Sequence, residues 1–364
     1  MTVESLKTLF RRELSELEAY RVPPSPPRVK LDANESPWPL PGEAWETILS
    51  AVRRTALHRY PDGRATTLRD ALTANYGGTA DGFVIGSGSD ELIALLATAM
   101  CRPPAGKDRP VVLYPEPTFV MYGITSLGHG WTTAGIPLDP DWDLDVDAMG
   151  EAIEREQPNL VYYATPNNPT GNTFTRERIE ALVARHPNTL HVIDEAYAPF
   201  AGGSLSSLCD EYPQCAMLGT LSKVGFAAIR VGWTRLHPEL ARELEKVRQP
   251  FNLNALSQEI ATLALTDLAP LVRSQARAVA AERELLATAL REIPGISTYP
   301  SQANFLLLRI EGNPRAVCEG LLERGIAVRR FDGHPRLAQC IRITVGTPEE
   351  NGRLVEALGE VPCR

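Results

Sequence analysis

The stretch GTLSKVGFAAIRVGW (219–233) places Lys223 directly after Ser222 and Arg230 seven residues further on, with small or apolar residues between them. An amine held out of water beside a second cation has a lowered pKa, which makes it a nucleophile toward a carbonyl carbon. Arg230, with Thr220 or Ser222, suits a phosphate dianion. VIDEAY (192–197) ends an apolar run with Asp194, where a lone carboxylate is costly and a cationic partner is expected. VIGSGSDELIALLATAM (84–100) reads as a short strand, a glycine turn and an amphipathic helix opening near Ser89, Asp90 and Glu91. Such a turn offers an anion free backbone N–H groups and the positive end of a helix. PNNPTG (166–171) closes a further apolar run.

Taken singly, each stretch has an ordinary reading: a solvated lysine, a helix cap, a capped helix, an Asn-Pro turn. The dinucleotide pattern GxGxxG fails because Glu91 stands where the third glycine belongs, and the Walker pattern is absent. In this order, however, the four define one ligand. It carries a phosphate for Arg230 and the helix N-terminus, an aldehyde for the Lys223 amine, and a ring nitrogen kept protonated by Asp194. That combination is pyridoxal 5′-phosphate.

The elements that must position these residues are legible as well. VVLYPEP (111–117), LVYYATP (160–166), LHVIDEA (190–196) and AMLGTLS (216–222) are apolar throughout rather than alternating, as in strands of a mainly parallel sheet covered on both faces. The polar pairs Asn167-Asn168, Asp194-Glu195 and Ser222-Lys223 fall where these runs end, at the carboxyl edge where open α/β sheets bind ligands. After Pro250 the pattern predicts a long helix over about 253–292, then strands at 303–310, 326–331 and 339–346 between helices, a smaller α+β unit. Leu6, Leu9, Phe10, Leu14 and Leu17 predict a first helix that ends at the proline-rich connector 22–41. The expected division is residues 1–44 (an N-terminal helix and lid segment against the small domain), 45–250 (the large, cofactor-binding domain) and 251–364 (the small domain).

Composition bounds the function. The chain has 364 residues, 43% hydrophobic and 23% charged, with a net charge of −8, which argues against nucleic acid as a partner. Its six cysteines lack a CxxC pair and its six histidines lack HxH or HExxH spacing, so reduced structural thiols in a cytoplasmic protein are expected, with no metal. No stretch approaches membrane-spanning length, so no membrane association is expected.

LDANESPW (31–38), RYPDG (59–63), GSDELI (88–93), PEPTFVMY (115–122), PNNPTG, DEAY, TLSK and CIRITVGTPEEN (340–351) together resemble the fold-type I pyridoxal-phosphate enzymes, most closely the histidinol-phosphate aminotransferases, over nearly the whole chain. The resemblance implies a seven-stranded, mainly parallel sheet between helices in the large domain. It makes Lys223 the residue that bonds the cofactor and shuttles the proton, and Asp194 the partner of the pyridinium nitrogen. Asn168 and Tyr197 then hydrogen-bond the ring 3-oxygen, and Phe119 stacks on the ring. Ser89, Asp90, Glu91, Thr220, Ser222 and Arg230 collect at the phosphate. Tyr60 reaches the cofactor and substrate of a neighbouring subunit, which implies a homodimer with shared sites. Arg342, whose fork suits a carboxylate, holds the α-carboxylate of glutamate, and Arg329 the phosphate of histidinol phosphate, with Asn34 beside the substrate. Arg330 alternates to the other strand face, so one arginine of this pair is expected to point inward.

The implied reaction is amino transfer between histidinol phosphate and 2-oxoglutarate, giving imidazole-acetol phosphate and glutamate in histidine biosynthesis, with ping-pong kinetics. Many relatives separate the lysine and arginine by eight residues rather than seven, which bears on the loop between them. An aromatic aminotransferase and a threonine-phosphate decarboxylase share the same motifs and remain alternatives. A regulator with an aminotransferase-like domain would need a DNA-binding module, and no such module precedes residue 31.

Overall fold

The computed structural model describes residues 3–16, 28–331 and 333–363. Seven strands build the principal sheet: β1 (Phe83–Gly86), β2 (Val111–Glu116), β3 (Thr132–Pro137), β4 (Leu160–Ala164), β5 (Leu190–Asp194), β6 (Cys215–Thr220) and β7 (Gly232–Leu236). Their order is β1-β7-β6-β5-β4-β2-β3, and β7 alone runs against its neighbours. Every residue of β4, β5 and β6 is buried, which is why these strands read as unbroken apolar runs. Helices cover both faces. On one, Leu92, Ile93 and Leu96 pack with Tyr122, Tyr162 and Leu218; on the other, Leu113, Tyr163 and Ile193 pack with Ile179, Leu182 and Val183.

Register carries the chemistry to one edge. Ala164 pairs with Asp194 and Asp194 with Leu218, so the chain leaves β4, β5 and β6 side by side toward Asn168, Tyr197 and Lys223. The antiparallel β7 returns Arg230 to the same edge, with Gly232 opposite both Thr220 and Gly86.

A second, antiparallel sheet has the order β10-β11-β9-β8, with β8 at Ile296–Thr298, β9 at Phe305–Ile310, β10 at Arg329–Arg330 and β11 at Cys340–Thr344. Val29–Lys30 pairs in parallel with Ile326–Ala327, tying the N-terminal segment to this unit.

Two helix expectations change. The single helix over 253–292 is two, Ala255–Leu265 and Ala269–Arg291, because Pro270 belongs in the first turn of a new helix rather than inside a continuous one. At the N-terminus, helix is confined to Val3–Lys7 and a 3₁₀ turn at Arg12–Glu16; residues 17–27, which include Leu17, lie outside the described residues. The apolar side chains Leu6, Leu9, Phe10 and Leu14 are exposed, so no core holds a longer helix together.

Candidate active site

A cleft of about 650 Å³ opens where the strand ends meet the second sheet, bordered by Asp194, Lys223, Arg230 and Arg342. Ser89, Asp90, Phe119, Asn168, Tyr197, Thr220, Ser222, Asn34 and Arg329 border it too. Lys223 is half-buried, its Nζ 5.6 Å from the centre of the Tyr197 ring, and Arg230 is exposed. The two cations therefore share an accessible cleft, not the sealed interior that their apolar surroundings in sequence predict.

Asp194 is 6% exposed. Tyr122 Oη donates to its Oδ2 at 2.6 Å and the Ala196 N–H to its Oδ1 at 3.0 Å. Burial pushes its carboxyl above the usual carboxylate range, against the opposing pull of the Tyr122 hydroxyl. No cation forms a salt bridge with Asp194 among the described residues. A buried carboxylate without a cation fits a ligand that brings a protonated ring nitrogen. Tyr122 has no local signal of this role; in the helix Met121–Gly128 it lies on the buried face with Gly123 and Ser126. Its ring stacks on Tyr162 at 4.3 Å and meets Phe119 edge-on at 5.6 Å.

The phosphate end is a cradle of close backbone approaches. Arg230 holds a left-handed conformation (φ 52°), with Nη1 3.3 Å from Ser222 Oγ and Nη2 3.6 Å from Asp90 Oδ2. Ser222 in turn accepts from Thr220 Oγ1 at 3.0 Å. A Cβ on Gly88 would lie 2.6 Å from Arg230 Nη2, and one on Gly232 would lie 2.6 Å from the Ser89 backbone nitrogen. Both glycines are what lets the arginine and the start of helix Ser89–Ala99 stand this close. Glu91 departs from expectation: its carboxylate turns away from the cleft, accepting from the Ser87 N–H and, at 2.9 Å, from Asn252 Nδ2. It fixes the glycine turn.

At the other end, Arg342 is 7% exposed, donating from Nη1 to Asn168 Oδ1 and from Nη2 to the Asp32 carbonyl, both at 2.6 Å. Asn34, also left-handed (φ 55°), donates from Nδ2 to Tyr197 Oη at 2.9 Å. Its backbone N–H donates to Thr344 Oγ1 at 2.9 Å and its carbonyl accepts from Asn304 Nδ2 at 2.9 Å. Asn34 thereby couples the second sheet to the Tyr197 phenol, a link that only the fold reveals. Fully buried Asn167 spans Pro117 O and Thr170 Oγ1, at 2.9 and 2.8 Å, and anchors the turn that carries Asn168. Arg329 and Arg330 both border the cleft: β10 is only two residues long, and the cleft wraps its end. Tyr60 does not border it. It is 82% exposed, stacked on Phe251 at 4.7 Å.

A lysine beyond one buried strand, a carboxylate ending the next and an arginine–glycine cradle at a helix N-terminus define a transferase of fold type I. Residues 26–358 match the family of class I and II aminotransferases. The histidinol-phosphate aminotransferase of Chromobacterium violaceum is 40% identical over 356 residues, 97% of this chain and 98% of that one. The enzyme of the same name from Polaromonas naphthalenivorans is 40% identical over 358 residues, 97% and 96% of the two chains. The crystal structure of histidinol-phosphate aminotransferase from Sinorhizobium meliloti in complex with pyridoxal-5′-phosphate superposes with a TM-score of 0.86 at 26% identity, covering 96% of each chain. The chain belongs to the class I and II aminotransferases and, within them, to the histidinol-phosphate aminotransferases.

Proposed function

We propose that this protein moves an amino group between histidinol phosphate and 2-oxoglutarate, forming imidazole-acetol phosphate and glutamate in histidine biosynthesis, with pyridoxal phosphate as cofactor. The observation that carries the reading is the convergence of Lys223, cation-free Asp194 and the Arg230 cradle on one cleft whose far end holds Arg342 and Arg329. The cofactor, when bound, supplies an electron sink that acidifies the substrate Cα–H and stores the amino group between the two substrates.

The chain's own residues do the rest. Asp194 keeps the ring nitrogen protonated, and the Tyr122 hydroxyl keeps Asp194 ionised and aimed. Ser222, Thr220, Arg230 and the N–H groups at the start of helix Ser89–Ala99 hold the phosphate. Phe119 would lie against the ring, and Tyr197 and Asn168, which border the same cleft, would hold its 3-oxygen. The Lys223 amine would hold the cofactor's aldehyde carbon at rest and, once the substrate amine displaces it, would carry the proton from the substrate Cα to that same carbon, on the other side of the nitrogen. Arg342 grips the α-carboxylate of glutamate, Arg329 the phosphate of histidinol phosphate, and Asn34, which also donates to Tyr197, stands beside the substrate. Tyr60, exposed on its own subunit, completes the site of a second copy in a homodimer. The division at about residues 44 and 250 separates a cofactor unit from a substrate-closing one, and the protein works in the cytoplasm. No helix among the described residues is long and apolar enough to cross a membrane.

Initial rates measured with histidinol phosphate and 2-oxoglutarate test this reading. Parallel double-reciprocal lines are expected, with Arg329→Ala raising the KM for histidinol phosphate while leaving that for 2-oxoglutarate within about twofold. Turnover of phenylalanine alone, indifferent to Arg329, contradicts it.

A further inference from the structure

Behind the lysine loop lies a second cavity, of about 470 Å³. That size suits a small organic ligand. One wall is the sheet and the loop that leaves it, with Met217, Leu221, Val224 and Trp233; the other is the junction of helices Ala255–Leu265 and Ala269–Arg291. Leu221 and Val224 present their side chains here while their neighbours Ser222 and Lys223 border the active-site cleft. Thr220 borders both cavities, and the loop that follows it lies between them.

Three features give the second cavity a chemical character. Its walls are predominantly aliphatic and aromatic. The Trp233 side chain, 1% exposed, borders the cavity with an indole N–H that has no hydrogen-bond partner among the described residues. An unpaired buried donor is costly, and a ligand oxygen within reach relieves it. At the rim, Arg273 and Arg277 stand one helical turn apart on Ala269–Arg291, both exposed, and neither forms an ion pair or side-chain hydrogen bond with any described residue. Side chains four apart on a helix share a face, so the two guanidinium groups converge on the same side of the rim. Glu195, the one carboxylate among the described residues that border the cavity, is 5% exposed and already engaged with Ser204 Oγ and the Leu205 N–H. Burial pushes its carboxyl up to about 7, which limits the negative charge inside at neutral pH.

We infer that this cavity is a second ligand site for an amphipathic organic anion. Its carboxylate meets Arg273 and Arg277, its apolar body fills the space between Trp233, Leu221 and Val224, and an acceptor oxygen at its inner end takes the Trp233 N–H. The site is separate from the substrate cleft, and its occupant rests directly on the far side of the loop that carries Lys223.

The probe is 3-(4-hydroxyphenyl)propionate, titrated calorimetrically into holoenzyme with and without saturating 2-oxoglutarate. Expected are one site per chain and an affinity unmoved by 2-oxoglutarate. The double variant Arg273→Ala/Arg277→Ala should bind roughly fivefold more weakly, as the loss of two exposed charge contacts implies, with kcat unchanged in the absence of probe. Trp233→Phe, which removes the donor together with the five-membered ring that carries it, should weaken binding by at least about fivefold. Charge reversal, Arg273→Glu/Arg277→Glu, should abolish it. Displacement of the probe by 2-oxoglutarate, an affinity unchanged in the charge-reversed protein, or no saturable binding at all overturns the inference.

Discussion

Replacing Tyr122 by phenylalanine deletes one oxygen atom and leaves the ring stacked on Tyr162 at 4.3 Å. The oxygen removed is the donor that meets Asp194 Oδ2 at 2.6 Å in a fully buried setting. A hydrogen bond to an ionised group is worth about 1.5–3 kcal/mol, roughly ten- to a hundredfold in an equilibrium constant. Burial already raises the Asp194 carboxyl, and the Tyr122 hydroxyl is the largest influence opposing it. Without it the carboxyl rises further, and the ionised form, the one that pairs with a protonated ring nitrogen, is less populated. Tyr122→Phe should therefore bind pyridoxal phosphate at least about tenfold more weakly near neutral pH, the low end of that range. The acidic limb of its activity profile should move to higher pH, because a raised carboxyl needs a higher pH to ionise. Titration of the apoenzyme with pyridoxal phosphate, followed by tryptophan fluorescence, measures the affinity, and thermal melting of the apoenzyme controls for general damage. In an Asp194→Asn background the same substitution should have little further effect, since the charge it supports is gone. A cofactor affinity within twofold of the parent, with an unmoved acidic limb, refutes the assigned role of Tyr122.

Other perturbations probe different parts. Gly232→Ala directs a methyl group to within 2.6 Å of the Ser89 backbone nitrogen and 2.7 Å of the Gly88 carbonyl carbon, where no side chain can yield; a loss of about 1–3 kcal/mol of stability, read as a lower Tm, and weaker cofactor binding are expected. Asn34→Ala removes the donor to Tyr197 Oη and places alanine at φ 55°; kcat should fall by roughly tenfold, the equivalent of one hydrogen bond, while cofactor affinity, measured by the same titration, changes less than in Tyr122→Phe. His191 is buried in β5 between Tyr163 Oη and the His186 carbonyl, each at 3.1 Å, and burial lowers its pKa from 6.5 to about 4. The unfolded chain therefore binds the extra proton first, so stability declines as pH falls from about 6.5 to 4, by on the order of 3 kcal/mol in all. His191→Gln should flatten this decline in denaturant melts taken across that range.

The large sheet was legible because β4, β5 and β6 are buried on both faces and carry their polar residues only at the ends. Asp194, Lys223 and Arg230 stood out for the same reason: charges beside apolar runs are few and costly. Residues that act through another were not legible. Tyr122 and Asn167 look like core and turn residues until the fold brings them against Asp194 and Pro117. Asn34 meets Thr344 across 310 residues of chain, a contact that no local pattern carries. The helix break at 266–268 has its signal in Pro270, which belongs in the first turn of a helix. The N-terminal periodicity misled, since an amphipathic pattern without a core to face does not sustain a long helix.

The central claim, that this site moves the amino group of histidinol phosphate by way of Lys223, is tested most directly in a single half-reaction. Holoenzyme is mixed in a stopped-flow spectrophotometer with histidinol phosphate alone, and the visible absorbance of the lysine-bound cofactor is followed. The account predicts loss of that band, its return on adding 2-oxoglutarate, and no catalytic cycle in Lys223→Ala. A band unchanged by histidinol phosphate but lost on adding phenylalanine would contradict the substrate assignment, and no such band after saturation with pyridoxal phosphate would contradict the role given to Lys223.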